Sequence, residues 1–333
     1  MGLHSVATGR AGRQFMPLAL VFACLGSLAA PSVARAVLIQ TATGTGNTTA
    51  PPDDPGWANV GVRGIGNGVY LGGGWVLTVA HVGAGDIVLG GATYSSVPGS
   101  AVQLTNGGAS GRSAATDLML YRLATEPVGL APVTIAATQP PVGTAVTMIG
   151  SGLDRGAFTE WSVNSSVTPW VWAEVDSGGN AAGYKTAGTR QMRWGTNTIS
   201  ATDLWITASD LAPPLDVRSI GTEFDAQFGT SEAQAVNHDS GGAVFAKPGG
   251  AWELAGMIFD VGGYSGQPSP AFNAVIGNAT YSVDLSYYRP QIMAIVPEPS
   301  TGPLATVIAG LALAGSAAAR SRRSSARRFP HGF

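Results

Sequence analysis

The stretch Val76-Leu77-Thr78-Val79-Ala80-His81 is a short apolar run that ends on a histidine. Its length and its β-branched residues are typical of a buried strand. The chain has four histidines, and because His4 and His331 lie close to its two ends, only His81 and His238 belong to its central part. Histidine has an ordinary pKa near neutrality. Chemistry that needs a histidine base in this chain therefore depends on one of these two residues.

Two further segments carry side chains that cooperate with a histidine in nucleophilic chemistry. Asp117 opens one apolar run, and Asp239-Ser240-Gly241-Gly242 precedes another. A serine hydroxyl is a weak nucleophile and needs a neighbouring base to take its proton. His81 would be that base, Asp117 would orient the imidazole, and backbone N–H groups beside Ser240 would stabilise an oxyanion. Together these side chains indicate acyl transfer.

Each of these residues also has an ordinary structural role open to it. His81 alone fits a strand-end histidine, Asp117 fits a cap, and a serine in a glycine-rich turn is unremarkable among 47 glycines. The segment Asp176-Ser177-Gly178-Gly179 repeats the four letters of the nucleophile segment, but no apolar strand follows it. We therefore expect Ser177 in a surface loop and Ser240 at the reactive position.

The first 36 residues have the three parts of a secretory signal peptide. Two arginines supply positive charge, residues 15–30 are apolar, and Ala34-Arg35-Ala36 fits the small-x-small cleavage rule. Cleavage there would make Val37 the first residue of the mature chain and would remove Cys24, the single cysteine. Residues 21–24, which end on that cysteine, leave a lipoprotein signal open as the alternative.

Residues 296–333 carry a second terminal signal. Val296-Pro297-Glu298-Pro299-Ser300 leads into a stretch of apolar and small residues at 304–319, and five arginines follow between residues 320 and 328. This length approaches the ~17-residue lower limit for a membrane span, and the arginines would stay on the cytoplasmic side. The order resembles the PEP-CTERM sorting tail of bacterial envelope proteins. That resemblance implies transient membrane insertion and removal by an exosortase-type enzyme, with a permanent anchor as the alternative.

The part of the chain between the two signals is acidic. Without the three arginines of the leader and the five of the tail, ten basic residues face 19 acidic residues, for a net charge of −9. An acidic body without a Lys/Arg cluster argues against nucleic-acid binding. With no cysteine and two histidines, a zinc or iron site would have to rely on carboxylates. We therefore expect no metal and no other cofactor.

The pattern of apolar residues predicts an all-β body. Residues 37–60 are rich in Thr, Gly and Pro and lack apolar periodicity, which indicates an extended arm. From residue 61, short apolar runs alternate with Gly-Gly, Asn-Gly and Pro turn signals, as in sandwiches and barrels. Helical periodicity begins at 281–295, where Pro290 interrupts it. The segment 162–198, rich in Trp, Gly and Asn, has no clear assignment.

Three segments resemble the trypsin-like (chymotrypsin-fold) serine proteases. Residues 75–81 resemble their strand that ends on the catalytic histidine, 117–123 their aspartate segment, and 237–242 their nucleophile loop. The chain order His, Asp, Ser is also that of the family. Weaker likenesses, at 146–152 to the strand leaving the first barrel and at 281–292 to the closing helix, extend the resemblance over most of the body.

The resemblance implies two six-stranded antiparallel β-barrels, about 61–152 and 153–280, with the active site between them and a short C-terminal helix at about 281–295. The implied function is that of an exported serine endopeptidase that acts on proteins or peptides, after processing by signal peptidase and the exosortase-type enzyme. Its location would be the cell envelope or the extracellular space. A catalytically inactive protease-fold binding module and an unrelated all-β adhesive domain with the same tail are the alternatives.

The resemblance also implies roles for individual residues. It assigns His81, Asp117 and Ser240 to a catalytic triad, and it puts the backbone N–H groups of His238 and Ser240 in the oxyanion hole. In the substrate pocket it puts Gln234 near the floor, and that uncharged side chain disfavours a strict preference for Lys or Arg.

The edge strand that would pair with the substrate begins with Phe259, Asp260 and Val261, again by resemblance. Asp260 would bring a negative charge to the pocket mouth.

Two positions depart from the family pattern. His238 stands where the family has glycine, so either the loop tolerates a side chain, or the oxyanion hole forms only with substrate, or catalysis is impaired. In the family, the residue equivalent to Asp239 is buried and pairs with an N-terminus that activation frees. Val37 would lie at a suitable distance for this pairing, although the arm after it lacks the usual Gly-Gly.

Overall fold

The computed structural model describes residues 37–40, 43–225 and 231–296. The predicted signal peptide at 1–36 and nearly all of the predicted sorting tail at 296–333 lie outside the described residues. No helix within the described ranges is long and apolar enough to cross a bilayer.

The described residues are mostly β-strand. The strands of the first half are β1 (Leu38–Ile39), β2 (Val60–Arg63), β3 (Gly66–Gly72), β4 (Trp75–Thr78), β5 (Ile87–Leu89), β6 (Ala92–Tyr94), β7 (Val102–Thr105), β8 (Ala115–Arg122) and β9 (Ala145–Gly150). Those of the second half are β10 (Leu153–Asn164), β11 (Val171–Val175), β12 (Ala181–Arg190), β13 (Arg193–Ala208), β14 (Leu215–Glu223), β15 (Ala233–Gln234), β16 (Ala243–Ala246), β17 (Glu253–Gly262), β18 (Asn273–Val275) and β19 (Ala279–Asp284). The helix α1 (Leu285–Ile295) follows, and short 3-10 turns lie at Trp57–Asn59 and Pro248–Gly250.

The first lobe is a seven-stranded antiparallel sheet in the order β6-β5-β2-β3-β4-β8-β7. Its central strands contribute buried apolar residues, such as Val69, Leu77 and Leu120, which pack in one core cluster. The apolar run that ends on His81 is β4 and the residues after it, as the sequence predicts. This lobe holds both the histidine and the aspartate of the predicted site.

The second lobe is a closed barrel of six strands in the order β13-β14-β19-β17-β16-β9. The predicted all-β class, with two barrel-like lobes and one short C-terminal helix, is thereby confirmed, but the first lobe has seven strands in one sheet where a six-stranded barrel was predicted. The predicted boundary at residue 152 is wrong, because β9 pairs with β13 and β16 and so belongs to the second barrel. The short apolar run at 145–149 predicts a strand, but it carries no information about which lobe that strand joins.

A four-stranded sheet in the order β11-β10-β12-β18 stands beside the second barrel. It contains most of the segment 162–198, which the sequence left unassigned. Trp161 is completely buried there and meets the Trp172 ring edge-to-face at 6.2 Å. A buried ion pair of 3.1 Å between Arg193 and Asp154 fixes the base of this sheet to β13.

The C-terminal helix starts four residues later than its periodicity predicts. Residues 279–284 pair with β14 and β17 as β19, so hydrogen bonds of the sheet hold the start of the periodic segment extended. Asp284 then caps the helix by accepting the N–H of Ser286 at 3.0 Å. The Tyr288 hydroxyl lies 3.0 Å from Thr116 Oγ1, so the helix of the second lobe is tied to β8 of the first.

Candidate active site

His81 and Asp117 are joined by two hydrogen bonds. Asp117 Oδ2 lies 2.7 Å from His81 Nδ1, and Asp117 Oδ1 accepts the backbone N–H of His81 at 2.9 Å. Because β4 and β8 are neighbours in the sheet, the end of one strand comes directly beside the start of the other. A carboxylate only accepts, so Nδ1 carries the hydrogen and the lone pair of a neutral imidazole is on Nε2. The imidazole is thus oriented as a general base.

The surroundings of His81 raise the pKa of its imidazole above the ordinary 6.5. Burial alone would lower this pKa, because only about a quarter of the side chain (26%) remains exposed and burial disfavours the charged imidazolium. The hydrogen bond and negative charge of Asp117 outweigh burial, and the charges of Asp210 and Asp260 add to the rise. Asp117 itself is completely buried.

Ser240 lies on the loop between β15 and β16. Four N–H groups of residues 237–242 donate within the protein: Asn237 to Ala271 O (2.8 Å), Asp239 to Val236 O (3.0 Å), Gly241 to Ile258 O (2.8 Å) and Gly242 to Asp239 O (2.8 Å). The remaining two, those of His238 and Ser240, have no acceptor among the residues that the structure describes. The loop therefore leaves free the two donors that the sequence assigned to an oxyanion hole.

The first lobe supports this loop through Asn67 of β3. The Asn67 backbone N–H donates to the Ser240 carbonyl oxygen at 2.8 Å. Its side-chain amide donates to the His238 carbonyl oxygen at 3.0 Å. Gly241 has a φ of 78°, and a Cβ there would collide with the Asn67 carbonyl oxygen. Only glycine lets the loop approach β3 this closely.

His238 adopts the left-handed conformation, with a φ of 76°. This conformation costs a residue with a side chain about 1–2 kcal/mol, and it explains why glycine suits the position. Burial and the nearby Arg190 lower the pKa of the His238 imidazole. The loop thus carries a side chain at a backbone conformation that glycine adopts without strain.

Asp239 lies behind the nucleophile loop and is almost fully buried. Its carboxylate accepts the N–H groups of Gly152 at 2.7 Å and Val236 at 2.9 Å. Burial nevertheless raises its pKa to about 7, and these hydrogen bonds offset only part of the rise. Val37 is also buried, and a side-chain carbon built on Gly150 would lie 3.2 Å from Val37 Cγ1 and in contact with Asp239 Oδ1. The arm thus approaches the Asp239 carboxylate, held by pairing of β1 with β15.

A cleft of about 210 Å³ brings most of the predicted site residues together. His81, Ser240 and His238 line it, and so do the predicted pocket residues Phe259, Asp260 and Val261. No direct hydrogen bond joins Ser240 Oγ to His81 in the described part of the chain. Within those same residues, no cluster of His, Cys, Asp or Glu could hold a metal ion.

Gln234 and Ser177 lie away from this cleft. Gln234 is 1% exposed, and its side-chain amide donates to the carbonyl oxygens of Ala279 at 3.1 Å and Ala235 at 3.2 Å. It belongs to strand β15 and is not among the lining residues of the cleft. Ser177 is exposed in the turn between β11 and β12, which confirms its prediction as a surface-loop residue.

Sequence reasoning did not identify two residues of the site. Asn67 interrupts the apolar pattern of its strand and is buried. The signal available in the sequence was an asparagine between two glycines at the start of an apolar run. Asp210 lines the cleft from the turn between β13 and β14. Its segment had no assignment to a strand or loop, so nothing in the sequence placed it near His81.

The search of curated proteins gave no match. Among solved structures, the serine protease neuropsin from mouse brain is 18% identical, with 76% of this chain and 99% of that chain covered and a TM-score of 0.44. Human heparin binding protein is 15% identical, with 78% and 99% covered and a TM-score of 0.45. Residues 44–192, which include His81 and Asp117 and end before Ser240, match the family model described as Trypsin.

Proposed function

We propose that this protein is a trypsin-like serine endopeptidase with His81, Asp117 and Ser240 as its catalytic residues. The observation that carries the proposal is the pairing of His81 with the buried Asp117, at 2.7 Å, in the same cleft as Ser240. A histidine held in one tautomer beside a serine on a tight turn is the arrangement that nucleophilic acyl transfer needs.

In this reaction, His81 Nε2 takes the Ser240 hydroxyl proton as Oγ attacks the carbonyl carbon of the scissile peptide bond. The buried Asp117 stabilises the resulting imidazolium through the Nδ1–H hydrogen bond. The imidazolium then gives its proton to the leaving amine, and the substrate's acyl group remains as an ester on Ser240. Water, activated by His81 in the same way, hydrolyses this ester and restores the serine.

The free N–H groups of His238 and Ser240 would stabilise the oxyanion of each tetrahedral intermediate. Removing one such donor typically lowers the rate about 10²- to 10³-fold. Residues 260–262, of which Asp260 and Val261 line the cleft, pair with β19 along one edge and with no other strand among the described residues. Their second edge is open to an extended peptide, which would add to the sheet by β-augmentation.

Export, sorting and activation complete the proposal. The leader at 1–36 would direct secretion, and the tail at 296–333 would hold the protein in the membrane until an exosortase-type enzyme removes it. Signal cleavage after Ala36 would give Val37 a free ammonium group close to the buried Asp239 carboxylate. An ion pair between them would stabilise the loop that carries Ser240.

Labelling with a fluorophosphonate probe tests the proposal. We expect the purified body starting at Val37, without its tail, to be labelled, and Ser240→Ala to lose all labelling. Ser177→Ala has the same sequence context in an exposed turn and is the matched control, which should be labelled like wild type. Folding of each variant is compared by circular dichroism.

Absence of labelling in well-folded wild type would contradict the proposal. The inactive binding module of the cell envelope or extracellular matrix would then be the better reading, since Ser240 and His81 share no direct hydrogen bond. An unrelated adhesive domain with the same tail would likewise remain unlabelled, but it would not explain the His81–Asp117 pair.

A further inference from the structure

Two carboxylates line the cleft beside His81 and have no part in the proposed catalytic steps. Asp260 is a half-buried residue of β17, and Asp210 is an exposed residue of the turn between β13 and β14. The charges of both residues raise the pKa of the His81 imidazole, and the charge of Asp210 also raises the pKa of Asp260. They therefore form one acidic wall of the cleft on the histidine side.

Within the described part of the chain, no lysine or arginine compensates this wall, although a protonated His81 would act on Asp260 as a positive charge. None of the residues that line the cleft is Lys or Arg, and neither Asp210 nor Asp260 forms an ion pair with any residue in the described ranges. Burial raises the pKa of Asp260 to about 6, so its carboxylate is still mostly ionised at neutral pH. A half-buried carboxylate without a cation is costly, and a cationic ligand removes that cost.

The Asp260 carboxylate is held in place within the cleft. Its Oδ1 accepts the N–H of Val261 at 2.8 Å, while Oδ2 has no partner among the described residues. The open edge of β17 begins at this same point. A peptide that adds to the edge would therefore carry one of its side chains past a fixed carboxylate oxygen that has a free acceptor site.

We propose that the cleft selects peptides with a lysine or arginine whose side chain lies beside His81, between Asp210 and Asp260. The inference rests on the proposed endopeptidase function and adds a substrate class to it. The lysine or arginine would be a substrate residue other than the one that enters the primary pocket. Gln234, the protein residue expected at the floor of that pocket, is uncharged and lies outside the cleft. An arginine suits the site best, because its planar guanidinium can donate to both carboxylates.

A set of fluorogenic peptides tests the inference. One arginine is moved through the four residues before the scissile bond, and each peptide has a matched partner with glutamine at that position. At one of the positions that precede the primary-pocket residue, we expect kcat/KM to be at least tenfold higher for the arginine peptide than for the glutamine peptide. This factor corresponds to ~1.4 kcal/mol. The preference should also weaken as ionic strength rises, because salt screens partly exposed charges.

Variants locate the preference. Asp260→Asn and Asp210→Asn should each reduce the ratio of arginine to glutamine kcat/KM, with Asp260→Asn the more severe because Asp260 is more buried. Asp176→Asn removes one exposed acid in the turn between β11 and β12 and controls for net charge, so it should keep the wild-type ratio. An equal loss of preference in Asp176→Asn would contradict a local role for the two cleft residues.

The outcomes separate this inference from the function on which it rests. If wild type cleaves the glutamine peptides and shows no arginine preference at any position, the acidic-wall inference is wrong and the endopeptidase function stands. An arginine preference confined to the primary-pocket position would also overturn it. If wild type cleaves no peptide and the fluorophosphonate probe does not react, the proposed function itself fails.

Discussion

Asn67 donates its side-chain N–H to the carbonyl oxygen of His238 at 3.0 Å, across the boundary between the two lobes. Because the backbone N–H of Asn67 also binds the Ser240 carbonyl oxygen at 2.8 Å, one residue holds two carbonyl groups of the nucleophile loop. The lobe that supplies the base thus also fixes the orientation of the peptide groups around the nucleophile.

Replacing Asn67 with alanine should lower kcat and leave KM nearly unchanged. The variant loses the side-chain hydrogen bonds to the His238 and Ser240 carbonyl oxygens, so the loop that presents the two oxyanion donors is held less firmly. Complete loss of one donor would lower kcat about 10²- to 10³-fold, which sets the upper limit of the effect. Kinetics with a neutral peptide measure the effect. Asn180→Ala, which removes a side chain bonded to Val163 in the four-stranded sheet, is the control and should keep its kcat. Equal losses in both variants would contradict a specific role for Asn67.

Replacing His238 with glycine should leave kcat at least as high as in wild type. Glycine adopts a φ of 76° without a steric penalty, so the loop keeps its conformation. His238→Val should lose activity, because a β-branched residue is a severe outlier at positive φ. Probe labelling and kcat of both variants measure this. Asp203→Gly, at another non-glycine residue with positive φ (59°), is the control. A glycine variant less active than wild type would show that the imidazole itself takes part.

The acid limb of the kcat/KM profile should lie above pH 6.5. His81 acts as a base only when neutral, and its pKa is raised by Asp117, Asp210 and Asp260 against the lowering effect of burial. Asp260→Asn removes one negative charge that is present above about pH 6, so the limb should move to lower pH. Profiles recorded with a neutral peptide measure the shift, and a limb that stays in place after Asp260→Asn would rule out this charge effect.

The unprocessed body, with residue 36 still attached to Val37, should lose stability as pH rises from about 4 to about 7. The native pKa of Asp239 is raised to about 7 from 3.8, so folding favours the protonated carboxyl. That stability is complete below the unfolded pKa and is lost as pH rises through the native pKa, by up to about 4 kcal/mol. Urea unfolding at several pH values measures it.

Asp239→Asn in the same unprocessed body is the control for this pH effect, since asparagine does not titrate. Its stability should vary much less over the same pH interval. In the processed body the Val37 ammonium would favour the ionised carboxylate, and the loss on raising the pH should disappear. A wild-type and an asparagine variant with the same pH dependence would show that other groups cause it.

The elements that carry local patterns were predictable from the sequence. Strand β4 and the residues up to His81 form a short apolar run. Asp117 opens a second run of this kind, and Ser240 precedes a third. The surface position of Ser177 followed from the lack of a strand after it. These predictions needed only the chain within a few residues of each motif.

Partners that are distant in sequence were not predictable. Strand β9 joins the second barrel because it pairs with β13 and β16, and a single sequence contains no record of strand pairing. For the same reason, Asp210 and Asn67 could not be placed beside the cleft. The helix start was wrong because β19 takes the first four residues of a segment whose spacing also suits a helix.

At the base of the sheet beside the second barrel, the start of β10 pairs with the end of β12, at Leu153 with Arg190 and at Arg155 with Thr186. Between these residues the strands β10, β11 and β12 form one antiparallel unit, and β12 also pairs with β18. The length of this unit can change by whole residue pairs without altering the register of any barrel strand. This unit could therefore be enlarged, shortened or replaced while β4 and β16, the strands next to His81 and Ser240, keep their positions.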